Sequence, residues 1–135
     1  DALMVAALGG LKVKLLVPGI SDSMLVDAAA RSYYGELLKS GVEIYLYKKG
    51  FVHAKTMVTD RKIAIVGSAN MDYRSFDLNF EVNAIVYNSA VACELTEIFY
   101  RDIQDAEKID PEVWQCRPVW QKLFEKTARL VSPLL

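Results

Sequence analysis

The spacing of apolar and polar residues changes several times along the chain, and each change marks an element. Residues 1–8, DALMVAAL, read as the end of a helix that Gly9-Gly10 stops. Residues 12–17, KVKLLV, read as a strand closed by Pro18-Gly19. Ser21, Asp22 and Ser23 are N-cap candidates for a helix over Met24–Lys39, whose apolar stripe includes Leu25, Ala28, Ala29, Tyr33, Leu37 and Leu38. Gly41 stops that helix, and residues 42–47, VEIYLY, alternate as a second strand before a turn at Lys48-Lys49-Gly50. Residues 51–59 and 62–66 read as third and fourth strands, and the short Asp60-Arg61 link joins them into a hairpin. A fifth strand is predicted over 79–87. A long helix follows over 89–107, with Leu95, Ile98, Phe99 and Ile103 on one face. After Asp110-Pro111 one or two shorter helices close the chain. There is no internal repeat, and strands separated by helices indicate an α/β layer fold.

The last segment, residues 111–135, is amphipathic. Val119, Trp120, Leu123, Phe124, Thr127, Leu130, Val131 and Leu134 recur at helical spacing, with Gln121, Lys122, Glu125, Lys126 and Arg129 between them. Trp114 and Arg117 lie just upstream. Such a stripe has two readings. It packs on the domain's own core. Or it lies in a membrane interface, tryptophan at headgroup depth and Lys122, Lys126 and Arg129 near anionic phosphates.

Composition narrows the class. The 135 residues are enough for one domain with a real core. A hydrophobic fraction of 53% excludes a disordered chain. A net charge of −1 and a pI near 5.9 argue against a general nucleic-acid-binding surface. Cys93 and Cys116 match no C-x-x-C pattern and read as two free thiols in a reducing compartment. No apolar run reaches the roughly 18 to 20 residues that span a bilayer. The chain opens on Asp1 in mid-helix with no signal peptide, which suggests a piece of a longer protein.

Candidate chemistry concentrates in residues 51–75, FVHAKTMVTDRKIAIVGSANMDYRS, which hold the only histidine of the chain. In a strand, residues i and i+2 share a face, so His53 and Lys55 would project together, roughly 6.5 to 7 Å apart. That spacing suits an ammonium holding a phosphate oxygen while an imidazole addresses the phosphorus. Imidazole is nucleophilic and titrates near neutrality. Gly67 lets the backbone approach a ligand closely, and Asn70 can donate its amide to a phosphoryl oxygen. Lysine and amide together stabilise charge that develops in phosphoryl transfer. On the predicted fifth strand Glu81 shares a face with Asn79 and Asn83, where a carboxylate can hold the far ring nitrogen of His53. Singly, each residue has an ordinary reading: a surface histidine, a solvated strand lysine, a turn aspartate at Asp60, a polar-face glutamate. Jointly, H-x-K-x4-D-x6-G-S-x-N fixes six residue types, a coincidence on the order of one in 10⁸ per starting position at ordinary usage.

This pattern resembles the HKD signature of the phospholipase D superfamily. SANMDYRSFDLNFEVNAIVYN is similar to the stretch after the second HKD motif of bacterial cardiolipin synthases. So are LLVPGISDS and RSYYGELLKSGVEIYLY upstream, and RPVWQKLFEKTARLVSPLL at the end. The resemblance covers essentially the whole chain, and SPLL resembles the family's natural C-terminus. It implies an α/β fold, a phospholipase D-like mixed β-sheet flanked by helices, over residues 1–135. It implies that His53 is the HKD histidine, Lys55 and Asn70 bind phosphate, and Ser68 is the serine of the G-S-x-N segment. Asp60 matches the motif aspartate, more structural than directly catalytic, and Glu81 lies where an acidic residue orients the histidine.

Superfamily members carry two HKD motifs about a pseudo-two-fold axis. One histidine attacks phosphorus to give a phosphohistidine, and the other protonates the leaving alkoxide and then activates the incoming alcohol. The resemblance implies no metal and no cofactor. This chain has one motif, so it matches half of such a site, with the N-terminal HKD half of a parent chain as partner. That parent would be a cardiolipin synthase of the bacterial cell membrane, anchored by N-terminal helices, its catalytic domain facing the cytoplasm. It would transfer a phosphatidyl group between phosphatidylglycerol molecules at an anionic membrane surface. Other readings are a superfamily phosphatidyltransferase with a different acceptor, a phospholipase or phosphodiesterase assembled from two motifs, or a noncatalytic scaffolding half. The acidic pI and the absence of a basic stripe count against a nuclease.

Overall fold

The computed structural model describes residues 1–21 and 23–132. Three expectations fall outside them: Asp22 as an N-cap, Leu134 in the terminal stripe, and residues 133–135 of SPLL.

Helix α1 (Ala2–Leu8) leads into strand β1 (Lys14–Pro18), helix α2 (Met24–Lys39) and strand β2 (Glu43–Tyr47). The limits of α2 follow from its ends. The Ser23 hydroxyl caps its start, accepting from the Val26 N–H at 3.4 Å, and Gly41 takes a left-handed φ of 92° just past its end. Strands β3 (Thr56–Thr59) and β4 (Ile63–Gly67) form the expected hairpin. At its tip Lys62 N–H donates to the Thr59 carbonyl at 3.0 Å. Asp60 and Arg61 adopt φ values of 51° and 55°, the left-handed pair that a tight hairpin turn requires. Asp60 suits this turn because a short polar side chain tolerates that conformation.

One turn of π-helix (Arg74–Leu78) precedes strand β5 (Asn83–Val86), and helix α3 (Ser89–Asp102) follows, capped by the Asn88 side chain on Ala90 and Val91. The helix predicted to run to residue 107 ends earlier. A 3₁₀ turn (Ile103–Asp105) reverses the chain into a short strand β6 (Ala106–Lys108). This strand pairs antiparallel with β2, and two ion pairs, Lys48–Glu107 and Lys49–Asp105, hold it beside that edge. Ile109 then drops into the core, its N–H donating to the Ile44 carbonyl at 2.9 Å. Helices α4 (Pro111–Gln115) and α5 (Val119–Val131) complete the chain. Asp110 caps α4, with Pro111 in its first turn.

The strands fall into two three-stranded sheets, β1-β2-β6, mixed, and β3-β4-β5, antiparallel, flanked by helices. The first sheet carries the core. Val42, Ile44 and Leu46 meet Tyr34 and Leu38 of α2, Ile109 and Trp114 of α4. The stripe predicted for α2 is shifted: Ala28, Ala29, Tyr34 and Leu38 are buried, while Leu25 is exposed. In the second sheet Ala64 is fully buried and α3 brings Ala92, also fully buried. The opposite face, with Met57 and Ile85, stays open to solvent.

Helix α5 is oriented against its sequence pattern. Its polar side faces inward: Ala128 packs on Ala28 and Ala29, Arg129 pairs with Glu36, and Glu125 is buried. The expectation that its apolar stripe packs on the domain core is therefore corrected. The contacts that turn this side inward are the Ala128 packing and two ion pairs, Arg117–Glu125 and Arg129–Glu36. Arg117 forms a bidentate bridge to Glu125 at 2.6 and 3.0 Å, lies over the Trp114 ring at 3.3 Å, and donates to the Trp114 carbonyl. Removing Glu125 leaves a half-buried guanidinium without its counter-ion. Glu125→Ala is expected to destabilise the chain by about 2–4 kcal/mol, read as a lowered urea midpoint at unchanged slope. An unchanged midpoint would show that α5 is held by other contacts.

Candidate active site

The site is built where the second sheet frays into loops. β3 begins at Thr56, so residues 51–55 are not the regular strand that was predicted. The ladder nonetheless reaches Lys55, whose carbonyl accepts from the Gly67 N–H at 3.1 Å. The parity of the hairpin puts Lys55 on the open face, with Met57 and opposite Gly67. Residues 79–82 likewise precede β5 rather than belong to it, but the Ser68 N–H still donates to the Val82 carbonyl at 3.0 Å. At residues 79–82 the chain trades regular pairing for side-chain bonds to Ser68 and Glu81.

Gly67 has a reason other than the one expected from sequence. A side chain there would collide with the Asn83 side chain and lie 2.5 Å from the Val82 carbonyl. The neighbouring strand, as much as any ligand, requires the glycine.

Glu81 sits at the centre of the loops. Its carboxylate accepts from the Ser68 hydroxyl in a short bond, from the Ser75 hydroxyl at 3.1 Å and from the Asn79 amide at 3.4 Å. Ser68 also accepts from the Val82 N–H at 3.0 Å, and Ser75, which is buried, accepts from the Asn70 N–H at 3.0 Å. Asp72 in turn accepts from the Ser75 N–H at 2.7 Å. One carboxylate thus fixes Ser68, the backbone at Asn70, and the π-turn. Ser75 and Asp72 were not expected from the sequence. The signal that finds them is the Asp72-x-x-Ser75 spacing, in which an aspartate caps the N–H three residues on.

The six expected site residues separate into groups. Lys55, Ser68, Asn70 and Glu81 gather at this end of the sheet, with the Lys55 charge felt at Glu81. The Lys55 ammonium bonds the His53 carbonyl at 2.9 Å, which leaves it two further N–H groups for an anion. His53 is exposed beside them, its ring stacked on Phe51 at 5.7 Å between centroids. Among the described residues no hydrogen bond joins Glu81 to the imidazole; the carboxylate is engaged by hydroxyls instead. Asp60 stands apart, at the tip of the hairpin, roughly 16 Å of strand from Lys55.

Comparison with known proteins gives the family. The profile of the family "Cardiolipin synthase, PLD-like domain" matches residues 1–103. The chain belongs to this family. It is 48% identical over 134 residues to a cardiolipin synthase of Geobacillus sp. (strain WCH70), covering 99% of the chain and 27% of that protein. It is 46% identical to a cardiolipin synthase of Clostridium perfringens (strain SM101 / Type A), over 100% of the chain and 28% of the relative. A cardiolipin synthase of Listeria monocytogenes serotype 4a (strain HCC23) is 44% identical over the same span. The chain therefore spans little more than a quarter of these family members. Among the described residues no helix is long and apolar enough to cross a membrane.

The hydrogen bonds to Glu81 have a titration signature. The Ser68 hydroxyl, then Ser75, Asn79 and the Lys55 charge, hold its carboxyl below the ordinary value of 4.5, against a smaller opposing effect of desolvation. A carboxyl depressed in the folded state contributes stability above its unfolded pKa and loses it as pH falls through the folded one. Ser68→Ala is expected to move the Glu81 midpoint up toward 4.5 in a carboxyl-carbon NMR titration. An unmoved midpoint would assign the depression to something other than the Ser68 bond.

Proposed function

We propose that this chain supplies one half of a phosphatidyl-transfer site, with His53, Lys55, Ser68, Asn70 and Glu81 as its working residues. The observation that supports this most is the gathering of Lys55, Ser68 and Asn70 beside the only imidazole of the chain, in a family whose relatives are named cardiolipin synthase. In this reading Lys55 and the Asn70 amide hold the nonbridging oxygens of a phosphodiester, and Ser68 and Glu81 keep that loop in place. Asp60 serves the hairpin turn. The substrate is phosphatidylglycerol, and the partner is a second HKD half contributed by the parent chain, docked on the open face of the second sheet. The parent works at a bacterial membrane with this domain on the cytoplasmic side.

The reaction balances in two displacements. The imidazole nitrogen of one half attacks phosphorus and the P–O bond to glycerol breaks. The leaving alkoxide takes a proton from the opposing histidine, giving a phosphohistidine and free glycerol. The opposing histidine then removes the proton from a hydroxyl of a second phosphatidylglycerol. That oxygen attacks phosphorus, the P–N bond breaks, and cardiolipin leaves. One imidazole cannot stand on both sides of phosphorus, so each half needs the other.

The full-length parent carrying His53→Ala or Lys55→Ala is expected to lose cardiolipin formation from phosphatidylglycerol by at least about 10³-fold. The 135-residue chain alone is expected to show little or no synthase activity. Turnover by a demonstrably monomeric chain, or a parent that works without His53, would refute the reading.

A further inference from the structure

Helix α5 presents an apolar face that nothing among the described residues covers. Val119 is 79% exposed, Trp120 68%, Leu123 63% and Leu130 80%, and Phe124 is also exposed. At about 100° per residue these five side chains fall within one arc of about 140°. Its opposite side is committed to α2 through Ala128 and the Arg129–Glu36 pair, and to Arg117 through Glu125. The orientation is thus locked by ionic contacts, and the apolar arc is left outward by construction. Lys122 and Lys126 border the arc on one side, Lys126 fully outward and Lys122 donating to the Gln115 carbonyl. An apolar arc with a tryptophan in it and lysines along its edge has the layout of a helix lying in a lipid interface, cations at the phosphates and aliphatic side chains below them.

We infer that α5 is the surface by which this domain docks on an anionic bilayer. The choice of a bilayer over a protein partner rests on the lysine-edged layout and on the proposed lipid substrate, which must be reached at a membrane. Docking holds the helix parallel to the surface and leaves the Glu125 and Arg129 bridges intact on the dry side of the domain. It requires no refolding, since the face is already exposed. The helix also lies outside residues 1–103, the part matched by the PLD-like domain family.

The test uses the chain itself with vesicles of phosphatidylglycerol and phosphatidylcholine, and with vesicles of phosphatidylcholine alone. Trp114 is buried, so Trp120 reports insertion. Binding to the anionic vesicles is expected with a blue shift of Trp120 emission, at least about tenfold tighter than to the neutral ones. Leu123→Glu, which removes no buried contact, is expected to weaken it by at least about tenfold at unchanged far-ultraviolet circular dichroism. Phe80→Glu, on the other exposed apolar face, is expected to leave it within about twofold, and so is His53→Ala. No binding, or binding unaffected by Leu123→Glu, overturns the inference. So does a chain that self-associates through this face in sedimentation and loses that with Leu123→Glu without ever binding vesicles. Because vesicle binding needs no turnover, its failure leaves the transfer reading standing, and an inactive parent leaves the docking result standing.

Discussion

A single carboxylate organises everything that the site requires. Glu81 is not inserted in a strand or a helix; it lies on a loop, and its two oxygens gather the hydroxyls of Ser68, just past β4, and Ser75, in the π-helical turn. Without it, the Ser68 and Ser75 hydroxyls lose their shared acceptor, and Ser75 is the group that also receives the Asn70 N–H. Backbone polar groups left unpaired are costly. Here the unpaired ends of two strands are satisfied by side chains, and the price of the frayed ladder is met by one acid. The arrangement fixes the loop that bears Asn70 to the end of β4, which the Gly67 N–H joins to the Lys55 carbonyl.

The two sheets then divide the labour. The first is closed: its strands are covered by α2 and α4, with Ile44 and Val42 almost wholly buried. It gives the chain its stability. The second is closed on one face by α3 and open on the other, where the site lies. An open antiparallel face bordered by exposed Phe76, Leu78 and Phe80 is unusual for a surface that meets only water. The chain spans little more than a quarter of the length of the relatives it matches.

The sequence was legible wherever a local signal decided the outcome. Met24–Lys39 was bounded correctly because Ser23 and Gly41 punctuate it, and the Asp60-Arg61 turn because its link is too short for anything but a hairpin. Family membership was legible because six fixed residue types stand together. What could not be read depended on partners distant in the chain. β6 is three residues, two of them charged, and exists only because β2 offers an unpaired edge. The sides of α5 were evident as a pattern, but which side turns inward is decided by Arg117, Glu125, Arg129 and Glu36 finding each other. Strand parity placed His53 and Lys55 together on a strand that ends before reaching them, and Glu81 was expected at the imidazole but was taken by Ser68 and Ser75.

The proposed phosphate site joins the Lys55 ammonium and the Asn70 amide, with Ser68 and Glu81 holding the loop. Titrating the chain with glycerol phosphate while recording backbone amide shifts tests it directly. The account predicts that the shifted amides cluster in residues 53–55, 67–70 and 79–83, and that Lys55→Ala abolishes the response. Shifts confined to the charged cleft lined by Arg31, Lys48 and Arg117, with residues 53–83 silent, would contradict it.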